Sequence, residues 1–296
     1  PNKDIRWEKT TTVNVGVDFA LFRHRLSGTI EYYNKYSVDL LAAINGSPTQ
    51  GFGYTTLMTN NGKMVNRGVE ITLSGEIIRQ KDFSWNASLL YAFNRNKVKH
   101  ISVQPSLWDS RISMPTSYPM VGKPLYGIYA YKWAGLNENG DPQVYDAENN
   151  VTSGPARDYH ALVYCGTTVP IHNASLTNVL RYKGFEFSAM LILDAGHKLR
   201  SSNIPSINMS NGRITSTAKG IVDRWTQPGD VTDVPRLLFS NDTENFNTHR
   251  TELYRYSDLF VYDASNIRLS NISLAYRVPA HWCKKISLSG ARLQFN

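Results

Sequence analysis

Residues that could carry chemistry are scattered along this chain, and their spacing matches no catalytic or metal-binding pattern. The seven histidines include no pair four positions apart with a glutamate between them, which is the pattern of zinc proteases. The chain also lacks a Gly-x-Ser-x-Gly nucleophile motif and a phosphate-binding loop that ends in Gly-Lys-Ser or Gly-Lys-Thr. We therefore expect no catalytic residue, no metal site and no cofactor.

Two pairs of carboxylates could in principle support glycoside hydrolysis, which needs two acidic groups flanking the scissile bond. The pairs are Glu70 with Glu76 and Glu31 with Asp39. These residues belong to segments in which polar and apolar side chains alternate, and they share the polar face with lysines and threonines. A solvated polar face is the interpretation that this pattern favours, so we expect no enzymatic activity.

The two cysteines, Cys165 and Cys283, are too few for a disulfide framework or a zinc site. Two unrelated thiols are the favoured interpretation, and a disulfide between them is the alternative.

Aromatic residues are abundant, with 11 Phe, 6 Trp and 17 Tyr. One group of them could stack on sugar rings or on peptide side chains. Its members are Trp108, Tyr118, Tyr126, Tyr129, Tyr131 and Trp133. Two alternatives stay open: the rings could pack loops into ordered lids, or they could lie at a membrane interface.

The composition excludes several classes of protein. The 296 residues carry a formal net charge of +8, but Lys and Arg are spread along the chain without a basic run, so we expect no nucleic-acid partner. No stretch approaches the ~18 consecutive apolar residues of a membrane helix. The aromatic and β-branched content is too high for a disordered chain. Because the chain opens at Pro1 without a leader, we expect an internal piece of a longer protein.

Strict alternation with a period of two sets the secondary structure. Between residues 10 and 22 one face carries only apolar side chains, namely Val13, Val15, Val17, Phe19 and Leu21. Residues 26–40 alternate in the same way, and the three residues between the two segments predict a hairpin. Further strands are predicted at 69–77, 83–96 and 185–193, the last after a tight turn at 182–184, and at 262–278 and 286–296.

The alternation slips between Leu269 and Ile272, which predicts a β-bulge. Long loops are predicted at 41–62, 99–123, 148–172 and 195–259. If 124–134 and 142–147 form a strand pair, the chain holds about ten strands; the alternative is that 99–172 is a single excursion.

Strand length and loop asymmetry separate a membrane barrel from a soluble sandwich. The strands reach about 16 residues, the turns at one end are short, and the connections at the other end are long, as in outer-membrane barrels. Aromatic residues near strand ends fit interfacial girdles: Trp7, Tyr36, Trp85, Tyr91, Phe93 and Tyr182. We predict an all-β, antiparallel transmembrane β-barrel fragment whose lipid-facing residues include the apolar face of the first strand, with Thr12, Asn14, Gly16 and Asp18 facing the lumen. A self-contained porin or barrel enzyme and a secreted glycan-binding β-sandwich or adhesin remain alternatives.

Several segments, in order, resemble the SusC/RagA family of TonB-linked outer-membrane transporters of Bacteroidetes. They are Asn2–Thr11 with Asn14–Phe19, Tyr32–Lys35 with Asp39–Leu41, Asn66–Glu70, Tyr182–Glu186 and Asn266–Tyr276. The resemblance implies that residues 1–296 are the C-terminal portion of a 22-stranded barrel, and that the plug domain and the TonB box lie outside this sequence.

The resemblance also implies a function. It implies TonB-dependent import of a nutrient, a glycan or peptide oligomer, across the bacterial outer membrane. The implied partners are a SusD-like surface lipoprotein, the TonB complex acting through the missing N-terminal part, the oligomeric nutrient and outer-membrane lipid. Many relatives carry an acidic stretch after the segment that matches 135–140, but residues 141–148 here hold few carboxylates, so we expect no calcium site.

Overall fold

The computed structural model describes residues 4–45, 56–103, 110–154, 158–209, 218–239, 248–285 and 287–296. The first strands in chain order are β1 (Lys9–Leu21), β2 (Leu26–Asn45), β3 (Thr56–Arg79), β4 (Phe83–Ile101), β5 (Gly127–Tyr131), β6 (Trp133–Leu136), β7 (Pro142–Tyr145) and β8 (Val151–Thr152). They are followed by β9 (Leu162–Thr167), β10 (His172–Tyr182), β11 (Phe185–Ala195), β12 (Lys198–Arg200), β13 (Asn208–Met209), β14 (Leu238–Phe239), β15 (Val261–Asp263), β16 (Asn266–Arg277) and β17 (Arg292–Phe295). The α-helices in these ranges are α1 (Ser110–Ser113), α2 (Thr248–Arg255) and α3 (Ala280–Lys285). No helix of the described ranges has the length and apolar character that a membrane crossing requires.

Eight of the strands form one large antiparallel sheet in the order β1-β2-β3-β4-β10-β11-β16-β17. The predicted first hairpin is confirmed, because Leu21 pairs with Leu26 across the turn at residues 22–25. The predicted turn at 182–184 is also confirmed, with Tyr182 opposite Phe185. Direct pairing puts the apolar side chains of neighbouring strands on the same face, so the alternation seen in the sequence becomes a continuous apolar surface.

The predicted loop at 41–62 is wrong at both ends. Strand β2 continues to Asn45 and β3 begins at Thr56, while residues 46–55 lie outside the described ranges. On β2 the cause is an irregularity at Asp39, whose φ is 56° and at which the β2–β3 register shifts between Ser37 and Leu40. On β3 the register shifts a second time, because Leu40 pairs with Gly62 and Leu41 with Asn60. An extra residue in a strand moves the following side chains to the opposite face, so the alternation that identifies the strand is lost there.

The predicted irregularity in β16 is confirmed as a β-bulge. Met190 pairs with Asn271 and Leu191 with Leu269, which leaves Ser270 without a partner on β11. Because of the bulge, Leu269 before it and Ile272 after it both lie on the apolar face of the sheet.

The large sheet contains eight strands in the described ranges, rather than about ten. Residues 124–134 and 142–147 do not add a strand pair, because β4 pairs directly with β10 from Phe83 opposite Tyr182 to Phe93 opposite His172. The chain between them is one excursion, as the alternative interpretation held. Every residue of β5 is buried, so this strand belongs to a small independent core and not to a barrel wall.

The last hairpin is shorter than predicted. Its first strand is β16, whereas β15 pairs with β12 in a separate two-stranded sheet. Helix α3 follows Pro279, and only Arg292–Phe295 returns to the large sheet as β17. Pro279 cannot continue a strand ladder because it lacks a backbone donor, which explains why the first strand of the hairpin ends before it.

Candidate functional site

The two longest described connections, residues 102–171 and 196–265, leave the same end of the large sheet and fold together. We call their described parts the loop assembly. The turns at 22–25, 80–82 and 183–184 lie at the opposite end. Hydrogen bonds join the two connections directly: Tyr131 donates its N–H to the carbonyl of Tyr256 at 2.9 Å, and Trp133 donates its N–H to Asp258 Oδ1 at 2.9 Å.

Short sheets organise the backbone of the loop assembly. Strand β5 pairs with β9, β7 lies between β6 and β8, and β13 pairs in parallel with β14. Residues 137–141 form the β6–β7 turn, in which Asn137 Oδ1 accepts hydrogen bonds from the N–H groups of Asn139 and Asp141. An asparagine that bonds the backbone in this way fixes a tight turn.

Two apolar clusters form the interior of the loop assembly. The buried members of the larger cluster are Tyr129, Tyr131, Val144, Ala161, Leu162 and Leu253. The smaller cluster is built from Ile207, Tyr254 and Phe260. Trp133 packs against both clusters. Since each cluster draws residues from both connections or is bridged by Trp133, neither connection has a complete core without the other.

A charged triad, Asp141 with Arg236 and Arg250, ties the β6–β7 turn to the second connection; Arg250 is buried, and the other two side chains are partly buried. Arg236 donates Nε to Asp141 Oδ1 at 3.0 Å and Nη2 to Oδ2 at 2.8 Å. Arg250 donates Nε to Oδ1 at 2.8 Å, and its side chain is only 2% exposed. Burial lowers the pKa of Arg250, and Asp141 opposes that effect. Bidentate arginine–carboxylate pairing is both strong and directional.

The second cation of the triad is accommodated by neutral oxygen atoms. Arg250 Nη1 donates to Asn208 Oδ1 at 2.6 Å, and its Nη2 donates to the carbonyl of Arg236 at 2.8 Å. Such bonds reduce the cost of burying Arg250, which shares Asp141 Oδ1 with Arg236. The triad was not predicted: Asp141 lies 95 and 109 positions from its partners, and no local pattern links residues so far apart.

Arg200 makes a second crosslink between the connections. Its Nη2 donates to the carbonyl of Tyr129 at 2.6 Å, and its Nη1 donates to the carbonyls of Ser257 at 3.2 Å and Arg255 at 3.3 Å. Burial lowers the pKa of this guanidinium. The nearby Cys165 is a free thiol, as is Cys283, so the interpretation of two unrelated thiols is confirmed.

The aromatic residues proposed to contact substrate do not share one environment. Tyr129 and Tyr131 are each 1% exposed and lie inside the larger cluster, so they pack the loop assembly and present no face to a ligand in this arrangement. Their burial corresponds to the ordered-lid alternative. The sequence does not reveal this burial, because both faces of β5 are buried and its residues do not alternate between polar and apolar.

The other members of that group are more accessible. Tyr126 is 49% exposed. Tyr118 is half-buried, and its carbonyl accepts a bond from Arg111 Nε at 3.3 Å. Trp133 is half-buried, and its Nε1 donates to Asp233 at 2.9 Å. Trp108 lies outside the described residues. Ligand contact stays a prediction for two members of the group. They are Tyr126, which is exposed, and Trp133, which is half-buried.

The residues predicted to face lipid form one face of the large sheet. Val15, Tyr32, Val69 and Phe93 lie side by side in one cross-strand row. The row nearest the short turns is aromatic and apolar, and it consists of Phe83, Tyr182, Phe185, Tyr276 and Leu293. The ten residue-to-residue steps from Phe83 to Phe93 span about 34 Å along the strand, or about 24 Å across a membrane at a tilt of ~45°. Val13, Val15, Val17 and Leu21 are exposed on this face and Phe19 is half-buried.

The opposite face of the sheet is polar, and the candidate carboxylates lie there. Glu31 and Glu70 are direct cross-strand neighbours, whereas Glu76 pairs with Arg79 at 3.5 Å and Asp39 with Arg6 at 3.8 Å. The four acidic groups therefore do not assemble into the two catalytic pairs considered from sequence. Asp18 on this face accepts a bond from Thr29 at 2.6 Å, which fits a hydrated, hydrogen-bonded interior surface.

Comparison with known proteins identifies the fold. The family model described as TonB dependent receptor-like, beta-barrel matches residues 1–296. The chain belongs to this family. TonB-dependent receptor P3 of Formosa agariphila is 25% identical over 99% of this chain and 29% of its own length. TonB-dependent receptor SusC of Bacteroides thetaiotaomicron is 25% identical over 95% of this chain and 27% of its own length. The chain thus spans just under a third of these relatives.

Solved structures agree with the family assignment. The structure of the RagAB peptide transporter matches 99% of this chain and 31% of its own chain, with a TM-score of 0.76 at 21% identity. The RagAB peptide importer in its closed-closed state matches 100% of this chain and 33% of its own, with a TM-score of 0.74 at 22% identity. At this identity the likeness concerns the fold. The TonB-dependent receptor barrel is an outer-membrane structure, so the predicted resemblance, the barrel fold and the outer-membrane location are confirmed, and the family is one of receptors and transporters.

Proposed function

We propose that the protein containing this chain imports a nutrient oligomer, a glycan or a peptide, across the bacterial outer membrane in a TonB-dependent manner. We further propose that a SusD-like surface lipoprotein sits on the loop assembly as a lid. The TonB complex acts through a plug and TonB box that lie outside this sequence, with residues 1–296 as the C-terminal portion of the barrel. Family membership supports the transport role, and the similarity to SusC and to the RagAB fold supports the partner.

The observation that carries this proposal is the ordered fold of the loop assembly. Long connections are either functional or disordered, and these have apolar clusters and a charged triad with one buried arginine. Burying Arg250 is costly unless its hydrogen-bonding partners are held in place. The burial of Arg250 therefore indicates that the loop assembly has a defined shape. A defined platform at the long-connection end is what a docking partner needs.

The exposed surface of the loop assembly has the composition of an interface. Large apolar side chains are exposed on it at several positions: Met114, Val121, Tyr126, Val151, Val163, Val169, Leu199, Val222, Val231 and Tyr262. Stable protein partners bury more than roughly 1,000 Å² in total, and a surface with distributed apolar side chains can supply that area. Because RagAB is a peptide transporter, a peptide is one of the two cargo classes to test.

The structure suggests a clean excision to test the proposal. Arg200 and Val261 are direct partners across β12 and β15, so residues 201–260 can be replaced by a two-residue Asn-Gly turn that closes this hairpin. A matched control removes residues 279–290 at the opposite end, where Val278 donates its N–H to the carbonyl of Ala291 at 3.0 Å. Both variants are made in the protein as the cell produces it, and heat-modifiable migration verifies that each barrel assembles.

We expect the 201–260 excision to abolish co-purification of the lipoprotein and growth on the cargo, while the control retains both. Mass spectrometry of oligomers that co-purify with the unmodified protein distinguishes a glycan from a peptide cargo. If the lipoprotein and growth both survive the excision, and also survive an added shortening of 99–123, the loop assembly is not the docking surface.

A further inference from the structure

The apolar face of the large sheet ends abruptly on the side of the loop assembly and gives way to basic residues. On β4 the side chains of this face are, in order, Phe83, Trp85, Ala87, Leu89, Tyr91 and Phe93, followed by Arg95 and Lys97. Arg95 belongs to the cross-strand row of Val13, Asn34 and Arg67. This row is the next one after the row that contains Val15 and Phe93, on the side of the loop assembly. The first charged residues thus stand one row beyond the apolar band.

Two arginines are neighbours in this row, so two positive charges lie directly opposite each other. Arg67 and Arg95 are direct cross-strand partners, an arrangement that is unfavourable unless an anion lies between them. The bond that Arg67 makes in this row is from Nε to Asn34 Oδ1 at 3.0 Å, and it leaves both Nη groups available to a ligand. Both arginine side chains are exposed.

A cavity of about 630 Å³ beside these rows gathers three more cations. It is lined by Arg67, Arg95, Lys97, Lys99 and Lys123, together with apolar residues such as Phe93, Val65 and Ile171. The described residues that line it include no aspartate or glutamate. Among the described residues these five cations form no salt bridge, in contrast to Arg181 and Arg292 near the short turns, which both bind Glu186. Lys123 lies 4.9 Å from the ring centre of Tyr164.

We propose that this basic cluster binds the phosphate groups of a lipid headgroup in the membrane leaflet on the side of the loop assembly. Arginine forks bind phosphate oxygens bidentately, and basic residues at a membrane surface attract anionic headgroups. The apolar band directly below the cluster is the place where the acyl chains of the same lipid lie. Free phosphate has no apolar part that could contact the adjacent apolar band, so the geometry favours a lipid over a soluble anion. The inference rests on the outer-membrane location of the barrel and is independent of the imported cargo.

The test uses the purified protein as the cell makes it, delipidated and then titrated in detergent. The probes are diphosphorylated lipid A, lipid A from which the phosphates have been removed, and inorganic phosphate as competitor, with bound lipid counted by native mass spectrometry. The variant is R67Q/R95Q/K97Q. The matched control, R23Q/K81Q/K183Q, removes three basic residues from the short turns at the other end of the sheet.

We expect the variant to bind diphosphorylated lipid A at least roughly tenfold more weakly, since each basic residue near a membrane surface contributes about a threefold to tenfold factor. The control is expected to bind like the unmodified protein, and the dephosphorylated lipid is expected to bind weakly to all three. Unchanged binding by the variant would overturn the proposal. So would equal binding of the dephosphorylated lipid, or complete displacement of the lipid by inorganic phosphate, which would indicate a soluble-anion site.

Two further measurements keep the test decisive if the triple variant assembles poorly. The charge-preserving variant R67K/R95K is expected to bind more weakly than the unmodified protein, because lysine keeps the charge but lacks the bidentate fork of arginine. Binding equal to that of the unmodified protein would show that the arginine forks do not hold the phosphate. In the unmodified protein, binding of diphosphorylated lipid A is expected to weaken as salt is raised, because salt screens exposed charges. Salt-independent binding would show that the acyl chains alone hold the lipid and that the cluster has no such role.

Discussion

The large sheet and the loop assembly are built from one chain by different kinds of interaction. In the sheet, order comes from repeated backbone pairing between neighbours, and one face carries an apolar band that is bordered by Arg67, Arg95 and Lys97. In the loop assembly, order comes from single contacts between distant residues, such as the bidentate bond of Arg236 to Asp141. The sheet requires its surroundings, lipid and further strands, whereas the loop assembly carries cores of its own.

Because of this difference, the two regions tolerate different changes. A sheet stabilised by many equal pairings loses little when one side chain changes within its class, but it cannot tolerate a bare edge in lipid. An assembly held by few specific contacts has the opposite weakness. It can stand without further strands, yet the loss of one buried partner leaves a costly unpaired charge.

The largest expected effect concerns the sheet edges. Among the described strands, β1 is paired on one side by β2 and β17 on one side by β16. Each unpaired backbone group in lipid costs several kcal/mol, so we expect the 296-residue chain alone to form no closed barrel. Refolding in detergent is expected to give no heat-modifiable, protease-resistant band. A resistant monomer would instead show that the chain closes on itself, which would restore the porin alternative.

The next effect breaks the loop assembly and leaves the sheet intact. Asp141→Ala removes the only carboxylate of the triad, and we expect a loss of about 3–5 kcal/mol in the local stability of this region because Arg250 stays buried without its partner. Hydrogen exchange is the measurement, with faster exchange expected in 137–145 and 248–257 and unchanged exchange in β4 and β10. Glu138→Ala, which removes an exposed carboxylate from the same turn, is the control and is expected to behave like the unmodified protein. Equal exchange in the two variants would show that the triad does not hold the assembly.

The third prediction tests the assignment of faces in the sheet. Leu89 lies near the middle of the apolar band and Val15 in its upper row. An arginine at Leu89 is expected to cost about 2–4 kcal/mol of unfolding free energy, one at Val15 up to about 1 kcal/mol, and one at Asn14, on the polar face, less still. Denaturant unfolding of the intact protein from lipid vesicles provides the comparison. A cost that does not depend on face or depth contradicts the lipid-facing assignment of Val13, Val15, Val17, Phe19 and Leu21.

The same contrast explains what could be predicted from the sequence. Pairing in the sheet follows from a local period, so the hairpins at 22–25 and 182–184 and even the bulge at Ser270 were predictable. The period failed at two irregularities, one at Asp39 on β2 and one between Asn60 and Gly62 on β3, and the strand ends at Asn45 and Thr56 were missed. A one-residue insertion is enough to remove the signal, since side chains alternate with a period of two.

The loop assembly was beyond such reasoning because its contacts join distant segments. Tyr129 and Tyr131 were recognised as a noteworthy group, but their burial depends on Leu253, which the sequence places more than a hundred positions away. The resemblance to a family predicted the barrel and the partner. It did not predict which side chains of the long connections are interior and which are exposed, because that depends on tertiary packing.

The smallest expected effect measures how tightly the loop assembly closes around Cys165. Burial, with a smaller contribution from Asp258, raises the pKa of this thiol to about 11, and Arg200 opposes the shift. In the unfolded chain a cysteine titrates near 8.5. Between those two values the unfolded chain releases its proton first, so the contribution of Cys165 to stability is present below about pH 8.5 and is lost as the pH rises toward 11.

The same shift predicts slow alkylation, because the thiolate is the reactive form. At pH 8.5 we expect iodoacetamide to modify Cys165 in the folded protein roughly a hundredfold more slowly than in urea, from the thiolate fractions that the two pKa values give. A Cys283→Ala background isolates Cys165, and mass spectrometry follows the reaction. Asp141→Ala, if it loosens the loop assembly as proposed, is expected to raise the rate toward the unfolded value, while Glu138→Ala leaves it unchanged. A rate in the folded protein equal to that in urea would show that the assembly opens freely around this thiol, and the contrast between a self-contained loop assembly and a neighbour-dependent sheet would then fail.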